Sequence, residues 1–435
     1  MPDQRQLTTA PHGHVLTNAG VWSPDSRWIV YDVRSTPDGA TFDGTRIERV
    51  DVETGSVEVL YESRHEACCG VVTASPVDDR VVFILGPEQP TPDWSYAAAR
   101  RQGVVVRASR PGAIEPLDAR DLVPPFTAGA LRGGSHVHLF SPDGAAVSFT
   151  YEDAVLEAAA APAERNLRAV GVSVCNRPTT VPRRHPRNHD GSAFSVLATR
   201  LVDDPTPGSD AIGRAFEEAW IGTSGYVRRD GTRQRRALAF QGHVVTAAGL
   251  TISEAFVVDL PDDLVQLAVA GDAPLAGTTT TRPAVPRGVR QRRLTFTADR
   301  RYPGLQGPRH WLRSSPDGAR IAFLMRDESG VVQLFTVSPA GGEPRQLTRL
   351  ATGIASAFTW SPDGGAIACV SGGSICLVDA ETGEPTRLTP PGRDPSTPRP
   401  EACVISPDGH RIAYSRCVPG GSGAFNQIFV VDAPR

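Results

Sequence analysis

Ser361-Pro362-Asp363-Gly364 is followed by the alternating apolar run Ala366-Ile367-Ala368-Cys369-Val370, and this unit of turn plus strand recurs along the chain. A serine acceptor, a proline that presets φ and a glycine at the fourth position together specify a type I turn. The apolar and β-branched residues that follow are typical of a strand. The tetrapeptide occurs in full three more times and twice in degenerate form, at residues 141–144, 315–318, 406–409, 23–26 and 75–78.

The spacing of these turns indicates the architecture. Pro316, Pro362 and Pro407 are separated by 46 residues (316 to 362) and 45 residues (362 to 407). Repeats of about 40 to 50 residues with several strands each are the sequence signature of a β-propeller. Candidate third strands occur seven times, which predicts an all-β, seven-bladed β-propeller with four-stranded blades. They are residues 46–50, 104–106, 167–174, 256–258, 334–337, 375–378 and 428–431.

The seventh repeat has no outer strand after it. Arg5-Gln6-Leu7-Thr8 is nearly the same string as Arg345-Gln346-Leu347-Thr348, the outer strand of an earlier blade. We therefore expect the N-terminal strand to complete the last blade, because pairing the two ends in one sheet leaves no loose blade at the seam of the ring. Residues 1–435 then form a single β-propeller domain.

The interval from Pro142 to Pro316 is too long for one blade and is expected to hold blade four with an insertion at about 203–236. His189-Asp190-Gly191 and the apolar run after it imitate the turn and the second strand. Residues 209–220 begin with a Ser or Asp cap and have helical apolar spacing, which predicts one short helical insertion in blade four. It is interpreted as a lid over one mouth of the ring or as a tolerated insertion. The run 237–240 is assigned to blade four, although it could begin an eighth blade.

Composition argues against several functional classes. The chain has 42 Gly and 38 Pro, which supply many turns. Its formal net charge of -3 gives no electrostatic footprint for nucleic acid, and the basic run at 228–236 is interpreted as a solvated loop. Neither a secretory segment nor 18 consecutive apolar residues occur, which predicts a cytoplasmic protein without a membrane partner. Seven cysteines without CxxC spacing fit reduced thiols.

Four of the ten histidines fall at two equivalent levels of the strands expected to line the central channel. Counted back six or four residues from the turn proline, or from His189, they are His136, His138, His185 and His310. Since residues two apart on a strand point the same way, we expect these four to converge on one side of the channel. Clustered neutral imidazoles suit a divalent transition metal such as Mn, Fe, Ni or Zn. Hydrogen-bonded channel histidines without a metal are the alternative.

The chain carries two family resemblances. Its turns, together with Gly-Gly-Glu-Pro-Arg-Gln-Leu-Thr at 341–348, resemble the propeller repeats of the TolB type. Over nearly its whole length it resembles an uncharacterised family of bacterial cytoplasmic propeller proteins, a family with no assigned activity. The segments that carry this resemblance are Gly-Gly-Ser-His-Val-His at 133–138, Gln-Arg-Arg-Leu-Thr-Phe at 291–296 and Pro-Arg-His-Trp at 308–311.

A more distant resemblance is to oligogalacturonate lyase, a seven-bladed propeller that binds a divalent metal through three His and a Gln. Its paired metal histidines precede a Pro-Asp turn as His136 and His138 do here, and a further one precedes another such turn as His310 does. Gly133 stands where that enzyme has Gln, and the order of the matching blades differs. The resemblance therefore implies a replacement ligand, for which His185 is chosen.

The same resemblance implies a reaction. A metal would bind a uronate carboxylate and acidify the adjacent ring proton, and a base would remove that proton while the glycosidic oxygen leaves. His185 is assigned as ligand or base. Arg183, Arg309 and Arg132 are candidate partners of substrate carboxylates, because a guanidinium matches their geometry.

Two classes of function follow from these residues. The first is a metal-binding propeller that acts as a lyase, by β-elimination on a uronate oligosaccharide or a related small-molecule sugar acid in the central channel. In that channel, Asn18 and Glu401 are interpreted as contacts for sugar hydroxyls or as solvated polar groups. A hydrolase or isomerase using the same metal is a variant of it. The second is a non-enzymatic scaffold that binds a protein or peptide partner. Nucleotide and serine-hydrolase motifs are absent from the sequence.

Overall fold

The computed structural model describes residues 3–36, 38–308, 311–392, 396–421 and 423–434. It is a seven-bladed β-propeller in which four-stranded antiparallel blades follow one another around a central channel. The strands of blades one to three, in chain order, are Gly13–Val15, Trp28–Arg34, Arg46–Asp51 and Val57–Glu62; Cys69–Ala74, Arg80–Leu85, Gln102–Arg107 and Arg110–Pro116; and Gly133–Phe140, Ala146–Asp153, Ala169–Val174 and Phe194–Leu197.

The second half of the ring repeats this pattern. Blades four to six comprise Ala215–Trp220, Ala237–Val245, Thr251–Asp259 and Arg290–Arg293; Arg313–Ser314, Ile321–Arg326, Val332–Val337 and Arg345–Gln346; and Thr359–Trp360, Ala366–Ser371, Ser374–Asp379 and Pro385–Arg387. Blade seven comprises Pro398–Ile405, Arg411–Gly420 and Gly423–Asp432, with Gln4–Gln6 as its outer strand.

The N-terminal strand closes the ring as the sequence predicts. Gln4–Gln6 pairs antiparallel with Gly423–Asp432, and Arg5 stands opposite Val430. Leu7 continues this pairing by donating its amide to the carbonyl of Ile428. The predicted number of blades, their four strands and the closure are therefore confirmed.

The recurrent turns join the first strand of a blade to the second. In the copy at 141–144, the Ser141 hydroxyl donates to Asp143 Oδ1 at 2.6 Å and accepts the amide of Ala146 at 3.0 Å. Gly144 donates its amide to the Ser141 carbonyl and has a φ of 66°, a conformation that glycine adopts without steric cost. Each side chain of the motif thus has the role that its type predicts.

Blade four begins later than predicted, and the predicted helix in residues 209–220 is wrong. Ala215–Trp220 is instead the first strand of blade four, with Phe216 paired to Gln241. Glu217 has a φ of 56° and marks a β-bulge there. A bulge adds one residue to the strand, so inward-facing apolar residues on either side of it are three apart in sequence and not two. This spacing imitates that of a helix.

The run predicted as the second strand of blade four belongs to blade three. Phe194–Leu197 pairs with Ala169–Val174 as the outermost strand of that blade. The described residues contain one short α-helix, Ala154–Ala158, and the 3-10 helices Ala98–Arg100 and Leu264–Ala268. Two small sheets pair Ala119–Arg120 with Ala130–Leu131 and Tyr226–Val227 with Arg233–Gln234. None of the described helices has the length and apolar character needed to span a bilayer.

The apolar core lies between neighbouring blades. At the seam between blades one and seven, Leu16, Tyr31, Val50, Ile428 and Val430 are all buried in one cluster. Similar clusters fill the spaces between other neighbouring blades. Burial of such apolar side chains is the dominant favourable term in folding.

Candidate functional site

A β-bulge at the same level of three adjacent inner strands decides which side chains face the channel. Val71, Val137 and Glu217, in blades two, three and four, each have a φ of 56°. At each bulge the pairing register shifts, so that two residues of the inner strand oppose one residue of the second strand. The strict alternation of sides is therefore broken at the level where His136 and His138 stand.

The bulge at Val137 places His138 in the packing between blades two and three. Its ring is fully buried, with Nε2 3.0 Å from Ser135 Oγ and 4.0 Å from Asp118 Oδ1. A Cβ at Gly103 would lie 2.5 Å from this Nε2, so the glycine leaves the space that the ring fills. Desolvation lowers the pKa of His138 to about 3 and keeps the imidazole neutral.

His136 is also buried, but beside arginines. Desolvation and then the charges of Arg101 and Arg168 lower the pKa of His136 well below its usual value. Its Nδ1 has no hydrogen-bond partner among the residues that the structure describes. The register argument that made His136 and His138 share one face is wrong, because the bulge lies between them.

His185 and Arg183 do not stand on an inner strand, contrary to the register prediction. They lie in the connection between the third and fourth strands of blade three, since the first strand of blade four is Ala215–Trp220. His185 Nδ1 accepts the amide of Arg187 at 3.0 Å, and Arg183 donates to Asp190 Oδ2 at 3.0 Å. Arg309 and His310, the other two predicted site residues, lie outside the described residues.

The structure brings together a different set of side chains at the mouth of the channel. A cavity of about 450 Å³ opens where the inner strands begin, at the end of the ring opposite the Ser-Pro-Asp-Gly turns. Blades one, two, three, five and seven contribute to its wall. The polar side chains that line it include Asn18, Asp32, Arg34, Trp311, Arg399 and Glu401.

Several wall residues carry buried polar atoms without a partner. Within the described ranges, Thr17 Oγ1, Trp311 Nε1, Arg399 Nε and Glu401 Oε2 make no hydrogen bond. Leaving such a group unsatisfied costs about 1–3 kcal/mol each. A concentration of them around one cavity indicates a site that water or a polar ligand completes. Arg399 and Glu401 also stand side by side, with Nη2 3.6 Å from Oε1.

The part of the cavity wall that blade one supplies is held by several contacts. Arg34 Nε donates to Asp32 Oδ2 at 2.5 Å, and its guanidinium carbon lies 4.4 Å from the centre of the Phe42 ring. Asp32 Oδ1 accepts the amide of Val71 at 2.9 Å, and desolvation raises the pKa of this carboxyl. A Cβ at Gly70 would lie 2.7 Å from Asp32 Oδ2, so a larger residue there would displace this carboxylate. The arginine is thus held in one orientation.

Arg313 links opposite sides of the ring. From blade five, its Nη2 donates to Asn18 Oδ1 of blade one. Burial lowers the pKa of Arg313 to about 10, and the carboxylates of Glu217 and Glu218 act against that shift. Glu218 is itself fully buried, accepts from Thr150 Oγ1 at 3.0 Å, and has a pKa that desolvation raises to about 7. A buried polar network therefore lies next to the channel.

One group of three side chains in the described residues has the geometry for a metal. The ligand atoms of His12, His14 and Glu48 all lie within 4.8 Å of one another. His136, His138 and His185 form no such group in the described part of the chain. His12 and His14 lie 12 and 10 residues before Pro24, outside the two levels that the turn register uses, and from the sequence they are interpreted as non-ligand residues at the entry to blade one. Their His-Gly-His spacing was the available signal.

Comparison with known proteins places the chain in a family. A family model described as a protein of unknown function, DUF3748, matches residues 68–189. The uncharacterized protein YidR of Escherichia coli strain K12 is 47% identical over 411 residues, which cover 94% of each chain. This confirms the predicted resemblance to an uncharacterised family.

A solved structure shares the propeller fold of this chain at low sequence identity. Oligogalacturonate lyase in complex with manganese is similar with a TM-score of 0.56 and 11% identity, over 100% of this chain and 94% of that one. TolB from Acinetobacter baumannii has a TM-score of 0.38 and 13% identity, over 94% of this chain and 80% of that one. At such identities the likeness to the lyase concerns the propeller fold alone.

Proposed function

We propose that the chain, which belongs to the family of the uncharacterized protein YidR, binds a small sugar acid or a short uronate oligosaccharide in the cavity at the channel mouth. The observation that carries this proposal is the concentration of unpartnered polar atoms on Thr17, Trp311, Arg399 and Glu401 around that cavity. Small-molecule sites are concave, enclose about 300–1,000 Å³ and hold a few convergent polar groups. The cavity fits this description.

The wall offers a partner for each part of a uronate. Arg34 and Arg399 supply guanidinium groups, which match a carboxylate with two parallel hydrogen bonds. Trp311 supplies an apolar ring for the C–H face of a sugar and an N–H donor for a hydroxyl. Asn18 and Glu401 supply further acceptors and donors for hydroxyls. A neutral sugar would offer these guanidinium groups no carboxylate.

We further propose β-elimination as the reaction, supported by the shared fold with a lyase. A base removes the proton at C5, the electron pair forms a double bond between C4 and C5, and the oxygen at C4 leaves with a proton; no water or oxidant is consumed. In the described cavity Glu401 is the candidate base and Arg399 the cation that stabilises the carboxylate. The roles of His185, Arg183 and Arg309, and a metal on His136, His138, His185 and His310, stay predictions.

Calorimetric titration tests the binding step. We expect galacturonate and digalacturonate to bind at least about tenfold more tightly than galactose, since a charge-assisted hydrogen bond is worth about 1.5–3 kcal/mol. Arg399→Gln should lose that preference, and Arg301→Gln, on an exposed arginine outside the cavity, should keep it. Equal binding of acid and neutral sugar, or an unaffected Arg399→Gln, would contradict the proposal.

The elimination step has a separate readout. The double bond conjugated to the carboxylate absorbs in the ultraviolet, so its appearance on incubation with oligogalacturonate reports the reaction. We expect Glu401→Gln to abolish this signal while retaining ligand binding. Tight binding with no change in absorbance would leave a sugar-acid binding protein and remove the lyase assignment.

We also propose a cytoplasmic location, which the state of the cysteines supports. All seven are free, and Cys369, Cys376 and Cys403 are buried near one another without forming a disulfide. Thiols in this state are typical of a reducing compartment.

A further inference from the structure

We propose that His12, His14 and Glu48 form a divalent transition-metal site that stabilises the closure of the ring between blades one and seven. The inference is independent of the sugar-acid proposal. The three ligand atoms lie within 4.8 Å of one another, and the His12 and His14 ring centroids are 4.4 Å apart. Two imidazoles and one carboxylate suit ions such as Mn, Fe, Ni or Zn, with water in the remaining positions.

His14 is oriented as a metal ligand by its neighbour in blade seven. Its Nδ1 lies 2.9 Å from the carbonyl oxygen of Asn426. A carbonyl can only accept, so Nδ1 carries the hydrogen and Nε2 keeps its lone pair. Metal-binding histidines in general donate their other N–H to a carbonyl or carboxylate, and this contact fixes both tautomer and ring orientation.

Glu48 is oriented by its contacts within blade one. Tyr31 donates its hydroxyl to Glu48 Oε2 at 2.8 Å, and the Tyr31 ring lies 5.1 Å from the ring of His14. Arg46 Nη1 lies 3.5 Å from Glu48 Oε1, and the Arg46 side chain is 38% exposed. Since that guanidinium reaches water, it can turn outward when a cation takes its place beside the carboxylate.

His12 supplies an unsatisfied nitrogen and an open side. Its Nδ1 is buried and has no hydrogen-bond partner among the described residues, although the residue as a whole is only half-buried. A buried polar atom without a partner indicates a missing water or ion. His12 and His14 are two residues apart around Gly13, the spacing that puts both rings on one face of an extended chain. The open side gives an ion access.

The position of the group explains what the metal would do. His12 and His14 lie where the chain passes from the outer strand of blade seven to the inner strand of blade one, and Glu48 is on the third strand of blade one. Thr8 Oγ1 donates to Gln427 Oε1 at 2.8 Å, and Gln427 Nε2 donates to the carbonyl of Ala10 at 2.8 Å on the same crossing. An ion here ties this crossing directly to blade one and, through the hydrogen bond between His14 and Asn426, to blade seven. Because it binds the closed ring, it stabilises the folded state by mass action.

The test uses the full chain without a polyhistidine tag, stripped with a chelator. Equilibrium dialysis with elemental analysis should find about one equivalent of bound Zn²⁺ or Mn²⁺ per chain. The midpoint of thermal unfolding should rise with metal concentration. Bound Co²⁺ should show visible d–d absorption. His12→Ala and Glu48→Gln should each weaken binding by at least about tenfold and suppress both signals. His410→Ala, on an exposed turn histidine, is the matched control and should change neither.

Two results would overturn the inference: substoichiometric metal on the stripped and reloaded protein, or a metal-dependent midpoint that His12→Ala and Glu48→Gln leave unchanged. His12 is half-buried, so its replacement is tolerated by the fold, and circular dichroism of each variant verifies this. Galacturonate titration separates the two proposals. His12→Ala should bind galacturonate like the wild type, whereas Arg399→Gln should lose galacturonate and keep the metal.

Discussion

At the scale of single residues, Glu218 makes the stability of the protein depend on pH. Desolvation raises its pKa from 4.5 to about 7 in the folded state. The protonated form is favoured in the folded protein, so the contribution of this group is full below pH 4.5 and is lost as the pH rises through about 7. Glu218→Gln removes this dependence. Near pH 4.5 we expect the free energies of unfolding of variant and wild type to be similar.

At about pH 8 the Gln variant should be more stable than the wild type by about 1–3 kcal/mol. The reason is that a pKa difference of one unit between the folded and unfolded states corresponds to 1.36 kcal/mol. Urea unfolding at both pH values provides the comparison. A difference between variant and wild type that does not change with pH would show that Glu218 is not the titrating group.

Single residues also set the limit of what the sequence predicts about the site. Asn18 and Glu401 were placed in the channel from their distance to the turn proline, and both line the cavity. The same rule misplaced His138, because the bulge at Val137 has no glycine or asparagine to reveal its positive φ. Regular strand spacing can be read from residue types, whereas this bulge is decided by packing.

At the scale of elements, the turn glycines test the local account of the fold. Gly144 and Gly249 have φ of 66° and 82°, and a side chain in this region costs about 1–2 kcal/mol. A Cβ at Gly144 would also lie 2.5 Å from Val77 Cγ2, whereas a Cβ at Gly249 meets nothing within 4 Å. Gly144→Ala should therefore lower the free energy of unfolding more than Gly249→Ala does. Equal losses would show that backbone strain alone sets the cost.

Element prediction succeeded where the repeat was intact and failed in blade four. Its second strand, Ala237–Val245, lacks the Ser-Pro-Asp-Gly turn before it. It does contain Leu238-Ala239-Phe240, which parallels Ile321-Ala322-Phe323 in blade five, and both phenylalanines are fully buried. The buried aromatic in the second strand was thus a usable signal. The turn before this strand was not a usable signal, because the loop at that position is unrelated in sequence to Ser-Pro-Asp-Gly.

At the scale of the whole molecule, closure by the N-terminal strand should be measurable as stability. Leu7 is 6% exposed and packs in the cluster between blades one and seven, and Tyr414 donates its hydroxyl to Gln4 Oε1 at 2.8 Å. Leu7→Ala should cost about 2–3 kcal/mol of unfolding free energy. Leu250→Ala, on a leucine that is 53% exposed, should change it by less than about 0.5 kcal/mol. Similar small effects for both would mean that the seam contributes little.

A crystal structure of the protein with digalacturonate would locate the bound sugar acid. We expect the ligand in the channel-mouth cavity, with a carboxylate within hydrogen-bonding distance of Arg34 or Arg399 and a sugar ring against Trp311. A ligand bound outside the ring, or an empty cavity at a concentration that saturates the protein in calorimetry, would contradict this expectation.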